Sequence, residues 1–255
     1  MLEMTSSIRI SLGDIQEPFA LTVAGSNVYI LTAAKDIADA YNNTTTMSYE
    51  MYVQAVMRTV GCSEDAVREW YAAPDREKSV YPNPNQKPLS KLARDMNMQQ
   101  LFPGPALDKL TSDFISYFER AFSWDRMLSC SYSRSSARNE MIVSLADWTT
   151  DVLTNAGQTA FFGAHLANID PMMAFKFRDF DDRAWQVFYR YPEILSKTMH
   201  GAKEKLVSNF KEYFDAPAEM RNDAAWFTSA LEAEMKNIGL SRHDMATIMM
   251  TIYWG

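Results

Sequence analysis

Apolar and polar positions in this chain follow a strand-like pattern first and a helix-like pattern afterwards. Residues 18–31 read PFALTVAGSNVYIL, two runs of β-branched and aromatic residues around an Ala-Gly-Ser turn. Such a pattern predicts a β-hairpin. The next segment, residues 33–41, places Ile37, Ala38 and Tyr41 on one side of a helix. We therefore expect a small antiparallel sheet followed by a helix at the start of the fold.

From Leu89 onward the apolar residues recur almost everywhere at helical spacing. Pro105 stands where the first residue of a helix is expected. Ser144 is a predicted N-cap of another helix, which we expect to end near Gly163. Later helices are predicted over residues 194–214 and 222–238. The pattern therefore predicts a mainly α fold with a small β-hairpin sheet near the N-terminus.

The last predicted helix differs from the others because it is apolar on every face. It opens with Ser241-Arg-His-Asp244, which has the form of a capping box, and continues as MATIMMTIYWG. A helix that is apolar all round is buried rather than amphipathic. Since the sequence ends at Gly255, we expect a single partial domain over residues 1–255 that stops inside a long central helix. Uncovered apolar faces on that helix would favour self-association.

A proline-rich segment, residues 71–88, separates the predicted N-terminal elements from the long helical part. It reads YAAPDREKSVYPNPNQKP, and each proline removes a backbone donor and biases the residue before it to extended geometry. The segment is therefore predicted to be a loop. It is either a surface connector or a lid over a binding site, since long ordered loops are often functional.

Composition and charge exclude several classes of protein. The formal net charge of -7 and the lack of any Lys/Arg cluster give no attraction to a phosphate backbone, so we expect no nucleic-acid partner. Two cysteines and no hydrophobic leader favour an intracellular protein. The longest nearly uncharged apolar stretch, residues 245–254, is shorter than the roughly 20 residues that cross a bilayer. No membrane anchor is expected in this chain.

The usual metal and phosphate motifs are missing. His165, His200 and His243 are far apart and neither cysteine has a histidine neighbour, so a zinc site is not expected. Glycine-rich phosphate loops and the Gly-x-Ser-x-Gly elbow do not occur either. The adjacent Asp181 and Asp182 could do acid–base work, but neighbouring carboxylates point in different directions, which favours a solvated or capping role. The aromatic stretches 161–163 and 185–191 are more typical of a helical core than of a ligand box.

Taken in order, several segments resemble the cytochrome P-450 superfamily, in particular its fungal sterol 7-hydroxylase-like and prostacyclin-synthase-like group. The likeness is carried by EPFALTVAGSNVYILTAAKDIADAY, KPLSKLARDMNMQQLFPGPALDKL, LTNAGQTAFFG, DFDDRAWQVFYRYP and AAWFTSALEAEMKNIGLSRHDMATIMMTIYWG. These segments are spread over nearly the whole chain. Their order and spacing are moderately specific as a set.

The resemblance implies an incomplete P-450-type helical fold and the family's haem-dependent monooxygenation of an apolar, sterol-like or secondary-metabolite-like substrate. In that family one cysteine thiolate holds the iron. The family's haem loop, Phe-x-x-Gly-x-Arg-x-Cys-x-Gly, fits neither Cys62 nor Cys130, and its Glu-x-x-Arg pair is absent. The positions that the loop would require hold Ala55, Arg58, Val60 and Glu64 around Cys62, and Ser123, Arg126, Leu128 and Tyr132 around Cys130. We therefore expect a chain that does not hold haem stably and is inactive alone.

The same resemblance assigns expected roles to a few residues. Arg94 and Gln99 are the candidate contacts to the haem propionates, and Ile252, Trp254 and Gly255 are expected on the substrate wall. In the complete family the partners are an apolar small molecule and a reductase, and the protein sits at the endoplasmic reticulum membrane through an anchor that this chain lacks. An alternative is a non-catalytic binding or regulatory protein that reuses the helical half.

Overall fold

A computed structural model describes residues 17–23, 26–43, 45–74, 79–130, 133–137, 140–189 and 191–254. The strands are β1 Phe19–Val23, β2 Ser26–Ile30, β3 Ser133–Ala137 and β4 Glu140–Val143. The helices are α1 Ala34–Asn42, α2 Tyr49–Val60, α3 Glu64–Tyr71, α4 Leu89–Gln100, α5 Pro105–Ala121, α6 Trp124–Ser129, α7 Leu145–Ile169, α8 Met173–Asp181, α9 Trp185–Phe188, α10 Lys197–Asp215, α11 Trp226–Asn237 and α12 Arg242–Trp254. Short 3-10 turns lie at Glu193–Leu195 and Ala218–Arg221. The protein is mainly helical, as the sequence predicts.

Two antiparallel hairpins make up the β-structure of the described residues. The predicted hairpin is confirmed, with β1 and β2 paired from Phe19 opposite Ile30 to Val23 opposite Ser26. The second hairpin, β3–β4, corrects the expectation that nearly everything after Leu89 is helical. Its first strand reads SRSSA, which lacks the apolar alternation by which a strand is identified from sequence.

Several helices begin at serine residues whose hydroxyl groups accept backbone hydrogen bonds. Ser63 accepts from the Ala66 nitrogen at the start of α3. At the start of α12, the Ser241 hydroxyl accepts from the Asp244 nitrogen at 3.1 Å and donates to the Asp244 carboxylate, so the serine half of the predicted capping box is confirmed. Asp244 also accepts from the Ser63 nitrogen at 2.8 Å. One buried carboxylate therefore ties the first turns of α3 and α12 together.

Helix α7 continues past the glycine at which the sequence predicts its end. Gly163 has φ 71° and ψ -172°, a conformation that essentially only glycine adopts. The backbone breaks there and the helix resumes to Ile169. The Phe161 carbonyl, freed by the break, accepts from the Ala225 nitrogen at 3.0 Å and from the Thr228 hydroxyl at 2.7 Å. The break therefore anchors the start of α11.

The main core lies between α7, α8, α10 and α12, which pack against one another, with α2–α4 and α11 around them. Its largest fully buried side chains include Phe180, Phe210, Tyr213 and Phe214. The middle of α12, from Asp244 to Met250, is buried, in agreement with the predicted central helix. Helices α10 and α11 are shifted slightly from the predicted 194–214 and 222–238, because 3-10 turns precede both. Among the described residues no helix is both long enough and apolar enough to cross a membrane.

Candidate ligand-binding cavity

An apolar cavity of 440 Å³ lies on the side of α12 that faces α7. Helices α4, α7, α8, α11 and α12 all contribute to its wall, which consists of Asn97, Leu153, Thr154, Gly157, Gln158, Phe161, Phe162, Phe177, Phe227, Met249, Ile252 and Tyr253. We call this space the α7–α12 cavity. Its volume falls in the range of small-molecule sites, which are mostly apolar with a few polar groups.

Aromatic side chains fix the position of Tyr253 in this wall. Its ring centroid lies 4.8 Å from that of Phe177, 5.6 Å from that of Phe210 and 5.8 Å from that of Phe162, all in edge-to-face geometry. Such pairs add about 0.5–1.5 kcal/mol each beyond the burial of their area. The tyrosine ring is therefore held rigidly where α7, α8, α10 and α12 meet.

Two polar groups of the wall lack hydrogen-bond partners within the described part of the chain. Gln158 is fully buried, at 0% exposure, and both its Nε2 and its Oε1 are unpaired. The Tyr253 hydroxyl is buried and unpaired as well, and burial raises its pKa, so it stays a neutral donor. Buried polar groups are normally paired, and an orphan costs roughly 1–3 kcal/mol. Both groups could therefore bind a polar ligand atom.

The predicted substrate-wall residues are placed in different surroundings. Ile252 lines the α7–α12 cavity. Trp254 instead stacks on Phe188 with ring centroids 4.8 Å apart, and its Nε1 donates to Asp181 at 3.0 Å. Residues two apart on a helix do not face the same side, so α12 cannot present both to one ligand. Gly255 lies outside the described residues.

The predicted propionate contacts, Arg94 and Gln99, are both exposed on α4. The two residues are five positions apart, so they point about 140° apart around the axis of α4. They therefore do not form a single clamp on one face of the helix. Gln99 lies beside a shallow depression next to Trp226. Their assignment to a haem propionate stays a prediction.

The described part of the proline-rich loop is fastened to α11. The buried Glu234 accepts from the Tyr81 nitrogen at 2.7 Å and from the Ser79 hydroxyl at 2.9 Å. The Tyr81 ring meets Trp226 edge to face at 5.7 Å. None of the loop residues that the structure describes lines the α7–α12 cavity. They border two smaller cavities instead, so the loop is not a lid over the α7–α12 cavity.

Neither thiol fits the role of a haem ligand. Cys62 is buried in the core. Its burial has the largest effect and, together with the negative charge of Asp244, raises the pKa of the thiol to about 12, although the positive charge of Lys203 lowers it. A ligating cysteine must be an exposed or metal-facing thiolate. Cys130 donates its thiol hydrogen to the Arg126 carbonyl at 3.1 Å, and neither thiol lines the cavity. Neither cysteine is therefore placed to ligate haem iron beside this cavity.

The remaining candidate groups also stay apart. His165 lies 6.1 Å from the Tyr213 ring, measured between centroids, and His243 is exposed at the start of α12. Asp181 and Asp182 are both exposed, and Asp181 serves as the acceptor for Trp254. Among the described residues no group of three or more His, Cys, Asp and Glu side chains could hold a metal ion.

Sequence reasoning did not single out Gln158 or Gly157. A glutamine inside a helix is ordinary, and its burial becomes visible only in the folded protein. Gly157 lies on the cavity side of α7, and a Cβ added there would meet nothing within 4 Å. A glycine in the middle of a helix costs about 1 kcal/mol relative to alanine, and that cost is the one signal in the sequence that could have marked this position.

Comparisons with known proteins give little further identification. No protein-family model matches the chain. A DNA excision repair protein, the ERCC-5 homolog of Xenopus laevis, is 33% identical over 60 residues, which is 23% of this chain and 5% of that protein. The chain thus covers a small fraction of that relative, and the match does not show a family.

Proposed function

We propose that this protein binds an apolar small molecule in the α7–α12 cavity and serves as the substrate-binding part of a cytochrome P-450-type monooxygenase system. The observation that carries the proposal is the cavity itself, whose apolar wall includes Ile252 and in which the Gln158 amide and the Tyr253 hydroxyl are unpaired among the described residues. The family likeness supplies the reaction class, and it implies sterol-like or secondary-metabolite-like molecules as substrates. The intracellular location and the reductase partner belong to the same proposal.

The chemistry derived for this chain is limited to binding. The aromatic wall removes apolar ligand surface from water, which contributes about 25 cal/mol per Å². Because the described thiols do not fit a haem ligand, no oxidation step is assigned to these residues. Haem and iron would have to be held by groups outside those described.

The binding test uses the whole chain and a saturated steroid as the ligand, with calorimetry as the readout. We expect saturable binding that is lost in Gly157→Leu, because the added side chain enters the open space of the cavity. Gly201→Leu is the matched control, since Gly201 is also a helical glycine with open space around it and lies on α10 away from the cavity. Equal binding by wild type and Gly157→Leu would refute the proposal.

A second candidate is a non-catalytic binding or regulatory protein, and the state of the two cysteines favours it. Carbon monoxide added to the reduced, haem-supplemented protein tests the inactivity that both candidates expect of this chain alone. We expect no band of the thiolate-haem type from this chain alone. A strong band would show a haem-thiolate centre and would refute the expected inactivity.

Self-association is part of the same proposal. Large apolar side chains are exposed on several helices, among them Ile115, Trp124 and Leu153, and such surface favours contact between copies. We expect concentration-dependent oligomers in analytical ultracentrifugation. A monodisperse monomer at all concentrations would contradict this part.

A further inference from the structure

We propose that the α7–α12 cavity selects neutral apolar molecules that carry a hydroxyl or carbonyl group, and that the Gln158 amide binds this group. The inference rests on the proposed function, because it names the ligand class of the same cavity. It goes beyond that function by assigning the selectivity to Gln158, to which the family likeness gives no role.

The Gln158 amide needs a partner that the described residues do not supply. It offers two N–H donors and a carbonyl acceptor, and its side-chain nitrogen and oxygen are both buried and unpaired. A ligand hydroxyl can accept from the nitrogen or donate to the oxygen, and a ligand carbonyl can accept from the nitrogen. A hydrocarbon forms none of these hydrogen bonds, so the buried amide stays unpaired and its unfavourable free energy remains.

The Tyr253 hydroxyl adds a second donor to the same space. Gln158 lies one helical turn before Phe162, whose ring centroid is 5.8 Å from that of Tyr253, so both polar groups belong to adjoining walls of the cavity. A single ligand oxygen has two lone pairs and can accept from two donors. The cavity therefore offers donors to a neutral ligand oxygen from two of its walls.

The charge of the wall argues against an acidic ligand. None of the described residues that line the cavity carries a charged side chain. Moving an ionised carboxylate into such a site without a cation is strongly unfavourable. A carboxylic acid would consequently bind in its neutral form and more tightly as the pH falls.

The experiment compares four ligands that share one saturated steroid skeleton: the hydrocarbon, the alcohol, the ketone and the carboxylic acid. Their dissociation constants are measured by calorimetry with the full chain. We expect the alcohol and the ketone to bind about tenfold more tightly than the hydrocarbon, the value of one net hydrogen bond. The acid should bind most weakly near neutral pH and should gain affinity in mildly acidic buffer.

Variants assign the preference to its residues. Gln158→Leu should bring the alcohol to the affinity of the hydrocarbon, and Tyr253→Phe should reduce the alcohol preference severalfold with little effect on the hydrocarbon. Gln186→Leu is the matched control, because the Gln186 Oε1 is also buried and unpaired but does not line this cavity. It should keep the full preference.

The outcomes separate the two proposals. Equal affinities for alcohol and hydrocarbon, or a preference that survives in both Gln158→Leu and Tyr253→Phe, overturn the selectivity while the binding function stands. If no ligand binds, or if Gly157→Leu leaves binding unchanged, the proposed function fails and the selectivity fails with it. A preference lost in Gln158→Leu and kept in Gln186→Leu supports the inference.

Discussion

The Asp223 carboxylate occupies the space that a side chain on Gly163 would need. A Cβ built on Gly163 lies 2.1 Å from the Asp223 Oδ1, and the Asp223 Oδ2 accepts from the Ala164 nitrogen at 2.8 Å. The aspartate thus acts as an N-cap for the second segment of α7. The conformation of the glycine and the position of the carboxylate depend on each other.

Gly163→Ala is expected to lower the free energy of unfolding by about 3 kcal/mol or more, since it adds backbone strain and displaces the cap. Urea denaturation followed by circular dichroism measures the change. Gly201→Ala is the control, because Gly201 lies inside α10 with open space around it, and it should gain up to about 1 kcal/mol. A stability of Gly163→Ala equal to wild type would contradict the assigned conformation.

The ion pair between Arg221 and Glu232 is buried on both sides, with side chains 7% and 8% exposed. Glu232→Gln leaves the guanidinium uncompensated and should cost about 3–5 kcal/mol. The double variant Arg221→Met/Glu232→Leu should recover much of this loss. Asp95→Asn, which breaks an exposed pair with Lys87, should change stability by less than about 1 kcal/mol. If Glu232→Gln loses no more stability than Asp95→Asn, the buried ion pair does not have the stabilising role assigned to it.

Acid should destabilise the protein through Glu232. Burial opposes ionisation of this carboxyl, but hydrogen bonds from Arg221 and Lys236 outweigh that effect and lower its pKa below the ordinary value of 4.5. A lowered pKa in the folded state means that stability is present above the unfolded value and is lost as the pH falls through the folded value. We expect the free energy of unfolding to decline from about pH 4.5 downward. The free energy of unfolding of Glu232→Gln should decline less steeply with falling pH than that of the wild type. An identical slope in both proteins would exclude the Glu232 carboxyl as a source of the acid sensitivity.

The two cysteines should differ in their reaction with a thiol reagent. Cys62 is buried with a pKa raised to about 12, so almost none of it is the reactive thiolate, whereas Cys130 is partly accessible. Mass spectrometry after brief alkylation of the native protein should find label on Cys130 and none on Cys62 until denaturant is added. Rapid native labelling of Cys62 would contradict its burial.

Local patterns predicted the local elements of this fold. The first hairpin, the helix beginning at Pro105 and the serine cap at Ser241 each depend on residues close together in sequence. Gly163 shows where this reasoning ends. The glycine was recognised as a stop, but the helix resumes because Asp223, distant in sequence, supplies the cap.

The cavity could be predicted only in part for the same reason. Ile252 was expected on a ligand wall through the family resemblance, and it lines the α7–α12 cavity. The polar groups of the site come from the packing of α7 against α12, which no pattern within either helix encodes. The residues next to Gln158 in the sequence do not mark it, and only its burial in the folded protein is unusual.

Helix α11 contacts two separate regions of the molecule. Near its start Phe227 lines the cavity, and about two turns later Glu234 holds the backbone of Tyr81. A displacement of this helix by a bound molecule would therefore also move the proline-rich segment. We therefore expect the protection of the Tyr81 amide against hydrogen exchange to change when a ligand occupies the cavity.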